Sequence, residues 1–211
     1  MKVQIFTVAL LIPALAFANG SGRMDTYGGG LDAAGLHEKE QFAVEFYNAG
    51  VELRDEALSY EKESDAVADA KQKEKLLKKA GKSFEKAAGK FEKAVQYNPE
   101  LYQAWSAFGH ALRKTGDYER SLEAYKNALA LEPNYHEAIE YQAEAHLHLA
   151  QYEKVKAAYA RLLREKPEFA EKLLGEINKW LPGQDVNANA DLKAFAQWAK
   201  DMSGGGNPAG I

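Results

Sequence analysis

Two short stretches hold side chains that could do chemistry. EAHLHLA at 144–150 sets Glu144, His146 and His148 within five positions, and histidine is the commonest metal ligand. On a helix, residues two apart point about 200° from each other, so the two imidazoles cannot share one ion. Glu144 and His148, four apart, can share one, but no third ligand is identifiable. HEAIE at 136–140 has the outline of the zinc-peptidase HExxH, with Glu140 where the second histidine should stand. No G-x-S-x-G, phosphate-binding glycine loop or nucleophile beside a base occurs. Tyr27-Gly28-Gly29-Gly30 precedes no strand–helix unit that could make it a phosphate cradle. With no cysteine in the chain, thiolate metal sites and disulfides are excluded. The expectation is a protein without catalysis, metal or cofactor.

The elements that carry these residues repeat. Residues 102–135 and 136–169 align without gaps at a period of 34, bringing Tyr118 onto Tyr152, Tyr125 onto Tyr159, Leu129 onto Leu163 and Pro133 onto Pro167. Each unit contains two helical stripes, Trp105, Phe108, Gly109 and Leu112, then Tyr118, Leu122, Tyr125 and Leu129. Thr115-Gly116-Asp117 supplies the turn between them, and Pro133-Asn134 ends the pair. His146 falls at a packing position of its unit.

This arrangement resembles the tetratricopeptide repeat family. Its pattern of W-x2-L-G-x2-Y, A-x3-F and P is met by Trp105, Phe108-Gly109, Leu112, Ser121, Tyr125 and Pro133. The next unit follows it more loosely through Ile139, Gln142-Ala143, His146, Val155, Tyr159 and Pro167. Phe108, Ser121 and Gln142 depart from the family residues while keeping the period. The resemblance implies an all-α fold: a short superhelix of about three helix-turn-helix units with a capping helix.

The first unit is unusual. Stepping back 34 from Pro133 reaches Pro99, and Phe84, Ala87, Phe91 and Ala94 take second-helix positions. The matching first helix lies further upstream, at Phe46, Ala49, Gly50 and Leu53, leaving about 25 extra residues inside the unit. Phe46, Gly50, Leu53, Ala57 and Tyr60 alternate by four and three, as do Leu77, Ala80, Phe84, Ala87, Phe91 and Ala94. That is the seam of a coiled-coil-like antiparallel hairpin. Its turn is expected within Ser64 to Asp69, and about a dozen extra residues per arm would project the tip by roughly 18 Å. Breaking the second arm at Gly81 into shorter helices is the alternative. Residues 71–93, KQKEKLLKKAGKSFEKAAGKFEK, carry nine lysines against three glutamates, and residues 52–69 carry a charge of −5. Side by side, these arms would cancel much of each other's field. With a net charge of −4 for the whole chain, a nucleic-acid surface is not expected.

In tetratricopeptide arrays the first helices line a concave groove that takes protein segments. Carried over, the groove residues are Tyr47, Asn48, Val51 and Arg54 in the first unit. The second adds Gln103, Ser106, Ala107, His110, Arg113 and Lys114, and the third Glu137, Glu140, Tyr141, Glu144 and His148. One end reads as basic and the other as acidic. A subfamily grips chaperone C-terminal carboxylates with a Lys/Asn/Asn/Lys/Arg set. Tyr47, Val51, Ala107, Glu137 and Tyr141 stand in those places, so that clamp is absent.

The amino-terminal MKVQIFTVALLIPALAFANG has a basic start, an apolar run and Ala16-Phe17-Ala18, the pattern of a secretory signal peptide cut after Ala18. The run is shorter than the roughly 20 residues of a spanning helix and contains Pro13. The expected organisation is a signal peptide at 1–18, a flexible glycine-rich segment at 19–38, the hairpin at 39–101 and repeats at 102–135 and 136–169. A capping helix at 170–182, a linker with an amphipathic helix bearing Leu192, Phe195 and Trp198 at 183–202, and a disordered tail at 203–211 follow. The chain reads as a periplasmic or secreted adaptor binding a protein or peptide, without stable membrane insertion after cleavage. The alternative is a self-assembling structural subunit joined through the hairpin and the C-terminal helix.

Overall fold

A computed structural model describes residues 33–205. The expected signal peptide and most of the glycine-rich segment lie outside the described residues, as does the end of the tail. Among the described residues eight α-helices follow one another: α1 (Ala33–Asp65), α2 (Ala70–Tyr97), α3 (Tyr102–Lys114), α4 (Tyr118–Leu131), α5 (His136–His148), α6 (Tyr152–Glu165), α7 (Pro167–Trp180) and α8 (Ala190–Ser203). A 3₁₀ turn, Leu181–Gly183, follows α7. No strand occurs among the described residues, and no helix among them is long and apolar enough to cross a membrane. The bounds differ from expectation at three places. α1 already begins at Ala33, α7 begins at Pro167, and α8 runs through Ser203. Proline suits the first position of α7, where its missing N–H has no helical partner to lose.

α1 and α2 form a long hairpin. Asp69 caps α2 by accepting a 2.7 Å hydrogen bond from the Gln72 N–H, which fixes the reversal just after Asp65. α2 is continuous through Gly81, where a helical glycine costs only about 1 kcal/mol relative to alanine. Gly50, Ala57, Ala80, Phe84, Ala87, Phe91 and Ala94 are buried along the seam. Leu77 is not part of it: it is 46% exposed, and Leu76 is buried in its place. Buried positions 76, 80 and 84 are spaced by four, and each such step turns the stripe about 40°. Continuing the three-four alternation one step too far upstream therefore selects the wrong leucine.

The opposed charges of the arms do not meet. Among the described residues, no α2 lysine lies within ion-pair distance of an α1 carboxylate. Instead Lys79 sits 5.0 Å from the centre of the Tyr60 ring, and Lys90 and Lys93 lie over Phe46. The polar bridge between the arms is Ser83, whose hydroxyl donates to Glu56 Oε2 at 2.8 Å.

One contact recurs in the first two units. A Cβ built on Gly50 would stand 2.6 Å from the Phe91 ring, and one on Gly109 would stand 2.7 Å from the Tyr125 ring. Phe91 and Tyr125 are one repeat apart, so an aromatic ring of each second helix lies directly on the backbone of its first. In the third unit Ala143 and Tyr159 both lie buried in the carboxy-terminal core. Trp105 ties the second unit to the hairpin by donating its Nε1–H to the Pro99 carbonyl at 2.7 Å. The turns inside both repeats use a left-handed residue: Gly116 at φ +86°, and Ala150 at φ +55° in the matching place.

α7 and α8 close the carboxy-terminal end. Leu173, Ile177, Leu192, Phe195 and Ala199 share one core with Tyr152, Val155 and Leu162, and Phe195 stacks on Tyr152 at 4.7 Å. The Leu192 and Phe195 face of α8 thus packs on α6 and α7, because burying that face within the chain removes apolar surface from water.

Candidate binding groove

The groove is built on one face of α1 and on α3, α5 and α7. On α1 the seam residues point to α2, while Tyr47, Val51, Arg54, Leu58 and Glu61, again alternating by four and three, form an adjoining stripe toward α3. Two neighbouring pockets share Tyr141. The first, about 330 Å³, is lined by Tyr47, Arg54, Leu58, Gln103, Ser106, Ala107, His110, Tyr135, Glu137 and Tyr141. The second, about 420 Å³, is lined by Arg113, Lys114, Glu140, Tyr141 and Glu144 with Lys172, Gly175, Glu176 and Lys179 of α7.

Most of the residues read from the sequence as groove-facing thus come together, and three do not. Asn48 is exposed, a step round α1 from Tyr47 and on neither pocket wall. Val51 packs into the apolar cluster with Phe91, Ala107 and Ala111. His148 lies flat on the Tyr118 ring at 4.5 Å, with Trp180 edge-on; it belongs to the packing of α4 and α7. Sequence reasoning missed Leu58, Tyr135 and the α7 contribution. Leu58 and Glu61 were findable by carrying the Tyr47–Val51–Arg54 spacing onward. No repeat signal marks α7 as a wall.

The charges also differ from expectation. The end read as basic is internally neutralised: Arg113 Nη1 meets Glu144 Oε2 at 2.6 Å with side chains only 9% and 10% exposed. Lys114 meets Glu61 of the hairpin at 2.6 Å and lies over the Phe84 ring. The extra hairpin length is therefore engaged with α3 and does not simply project. Lys179 pairs with Glu176 and Arg54 with Asp55. Burial pushes the Glu144 carboxyl up, against the pull of Arg113.

Glu137 and Glu140 form no ion pair among the described residues, although Lys172 and Arg113 stand near enough to pull the Glu140 carboxyl down. Glu137 accepts hydrogen bonds from the hydroxyls of Tyr135, at 2.9 Å, and Tyr141, at 3.1 Å. Glu140 is 4% exposed and makes no hydrogen bond with its side chain among them. Burial, with the nearby Glu144 charge, pushes its carboxyl up to about 7. The His110 ring is buried, its Nδ1 lacks a partner, and burial together with Arg113 and Lys114 holds it well below the usual histidine range, hence neutral. As for the two motifs that suggested chemistry, His136 pairs with Glu165 at 3.1 Å, apart from Glu140. His146 Nδ1 contacts Gln151 Oε1 at 2.8 Å. No three metal-ligating side chains gather among the described residues.

The family model of the tetratricopeptide repeat matches residues 102–135. The chain is 29% identical over 113 residues to Superkiller protein 3 of Schizosaccharomyces pombe, covering 49% of this chain but only 8% of that protein's length. Among solved structures it is similar to the Arabidopsis OM64 TPR domain (14% identity, TM-score 0.43, 60% of this chain and 98% of the other). It is similar also to the first TPR domain of Spaghetti (RPAP3), solved with the HSP90 peptide SRMEEVD (20% identity, TM-score 0.43, 61% and 95%). A third is a thermophilic TPR protein of Thermus thermophilus (18% identity, TM-score 0.44, 69% and 72%).

Proposed function

We propose that this chain is an exported adaptor that holds a protein or peptide segment in the groove between the hairpin and helices α3, α5 and α7. The carrying observation is the pair of adjoining pockets around Tyr141. Their walls combine tyrosine rings with polar groups that find no partner among the described residues, including Gln103, Ser106 and Glu140. Buried polar groups are ordinarily hydrogen-bonded, and among the lining residues the buried His110 Nδ1 has no partner, which suits the groove to take up a ligand there. Docking in this surface needs no covalent step. Export rests on the basic start, apolar run and Ala16-Phe17-Ala18 at the amino terminus.

A photocrosslinking residue placed at Gln103 in cells tests the groove, with one at Glu123 on the exposed face of α4 as control. Adducts specific to position 103 and recovered from the exported fraction are expected. Matching adduct profiles from both positions would remove the groove as the binding surface.

A further inference from the structure

The groove's own ion pairs reveal what charge it has left to offer. Arg113, Lys114 and Lys179 are each held at 2.6 Å by a carboxylate, and Arg54 by Asp55 at 2.8 Å. Lys172 lies over the Phe169 ring at 4.5 Å and lines the same pocket as Glu140, whose carboxyl its charge pulls down without forming an ion pair. Against this single unpaired cation among the described lining residues stand two carboxylates, Glu137 and Glu140, one turn apart on α5 and each in a different pocket.

The Glu137 pocket contains no other unpaired charge among the described residues. Its carboxylate is held in place by the Tyr135 and Tyr141 hydroxyls, which orient it without neutralising it. Tyr47, Tyr135 and Tyr141 line the space around it, and Tyr102 braces Tyr135 edge-on at 5.0 Å. Aromatic faces attract cations through the ring quadrupole, most strongly where water is excluded. His110 lines the same pocket as a buried neutral ring whose Nδ1 has no partner, so it sets no charge against a cation. Carboxylate and aromatic walls together suit a donor that is positively charged. An acidic segment would instead face Glu137 and Glu140.

We propose that the groove receives a cationic side chain of its partner, lysine or arginine, in the Glu137 pocket between Tyr47, Tyr135 and Tyr141, with Glu140 positioned for a neighbouring basic group. This rests on the groove being the docking surface, and it names the chemistry of what docks there.

Three capped pentapeptides serve as probes of the intact mature chain: Ala-Lys-Ala-Lys-Ala, its norleucine counterpart and its glutamate counterpart, each titrated while backbone amide NMR signals are followed. The lysine peptide is expected to bind saturably, shifting signals of Ser106, His110 and Tyr141, and to bind about tenfold more tightly than the norleucine peptide. Glu137→Gln keeps an acceptor for both tyrosines and should lose that preference about tenfold with an unchanged melting temperature. Glu140→Gln provides the second, smaller loss. Equal or tighter binding of the norleucine or glutamate peptide at the same residues would overturn the cation assignment and leave the groove standing. Failure of all three peptides would also overturn it, and the groove reading then falls only if the position-103 crosslinks are absent as well.

Discussion

The hairpin and the two repeats that follow it solve the same packing problem with different means. The hairpin and the first of the repeats each set an aromatic ring on a first-helix glycine, Phe91 on Gly50 and Tyr125 on Gly109. Beyond that contact they diverge. The repeats turn through a left-handed residue, Gly116 or Ala150, and lock their helices with a buried ion pair, Arg113–Glu144. The hairpin turns through a capped link at Asp69 and keeps its nine α2 lysines out of ion pairs with the acidic arm. Opposite charge on neighbouring helices is thus no measure of ion pairing. Long lysine side chains gain more by lying on rings or reaching into water, and exposed pairs contribute only about 0.2–1 kcal/mol.

That contrast can be broken most severely at the buried pair. Arg113→Ala leaves Glu144 charged and unpaired in the groove floor, and we expect a loss of about 3 kcal/mol or more in urea denaturation. An exposed hairpin lysine such as Lys78→Ala should change stability by less than about 0.5 kcal/mol. Next come the paired glycines. Gly50→Ala and Gly109→Ala each force a ring off a helix backbone and should cost about 1–3 kcal/mol. Equal losses would establish that hairpin and repeat share one frame, whereas a silent Gly50→Ala would separate them.

The third expectation concerns pH. Folding raises the Glu140 carboxyl from the ordinary 4.5 to about 7, so between those values the folded chain binds more protons than the unfolded one. Its contribution to stability is fully present below pH 4.5 and is lost as pH rises through 7. The groups facing it are Glu137 and Glu144 on α5, Arg113 on α3 and Lys172 on α7. Glu140→Gln should flatten that slope, gaining on the order of 1 kcal/mol at about pH 8 relative to about pH 5, read from melts at both values.

The smallest effects sharpen the comparison from the favourable side. Ala150 holds a backbone conformation that glycine occupies freely, so Ala150→Gly should gain up to about 1 kcal/mol. Gly81 has open space around its Cβ position, and Gly81→Ala should gain a similar amount by helix propensity. Two glycines of one hairpin, Gly50 and Gly81, would then respond with opposite sign, as measured by thermal melts.

How much of this was legible in the sequence follows from how local each cause is. The 34-residue period and the upstream match at Phe46, Ala49, Gly50 and Leu53 come from side-chain spacing within single helices, and they locate the helices, the hairpin and its turn. The groove-facing stripe was legible as far as Arg54 for the same reason. Leu77 was misassigned because a seam changes its step without any local mark. The polarity of the groove was misjudged because Arg113–Glu144 and Lys114–Glu61 join residues 31 and 53 positions apart. Formal charges can be read off a helix face, but their partners depend on how elements from distant parts of the chain come to rest.

The short link at Asp69 also has a consequence in time. It joins the two longest helices of the described chain through contacts that are close in sequence, and such contacts close earliest because little loop entropy opposes them. The groove's outer wall can therefore be complete while α3 to α7 are still unfolded, and each later helix pair gains a finished surface on which to settle. In an array where each unit leans on its neighbour, the lengthened first hairpin offers the next unit a surface built from contacts of its own.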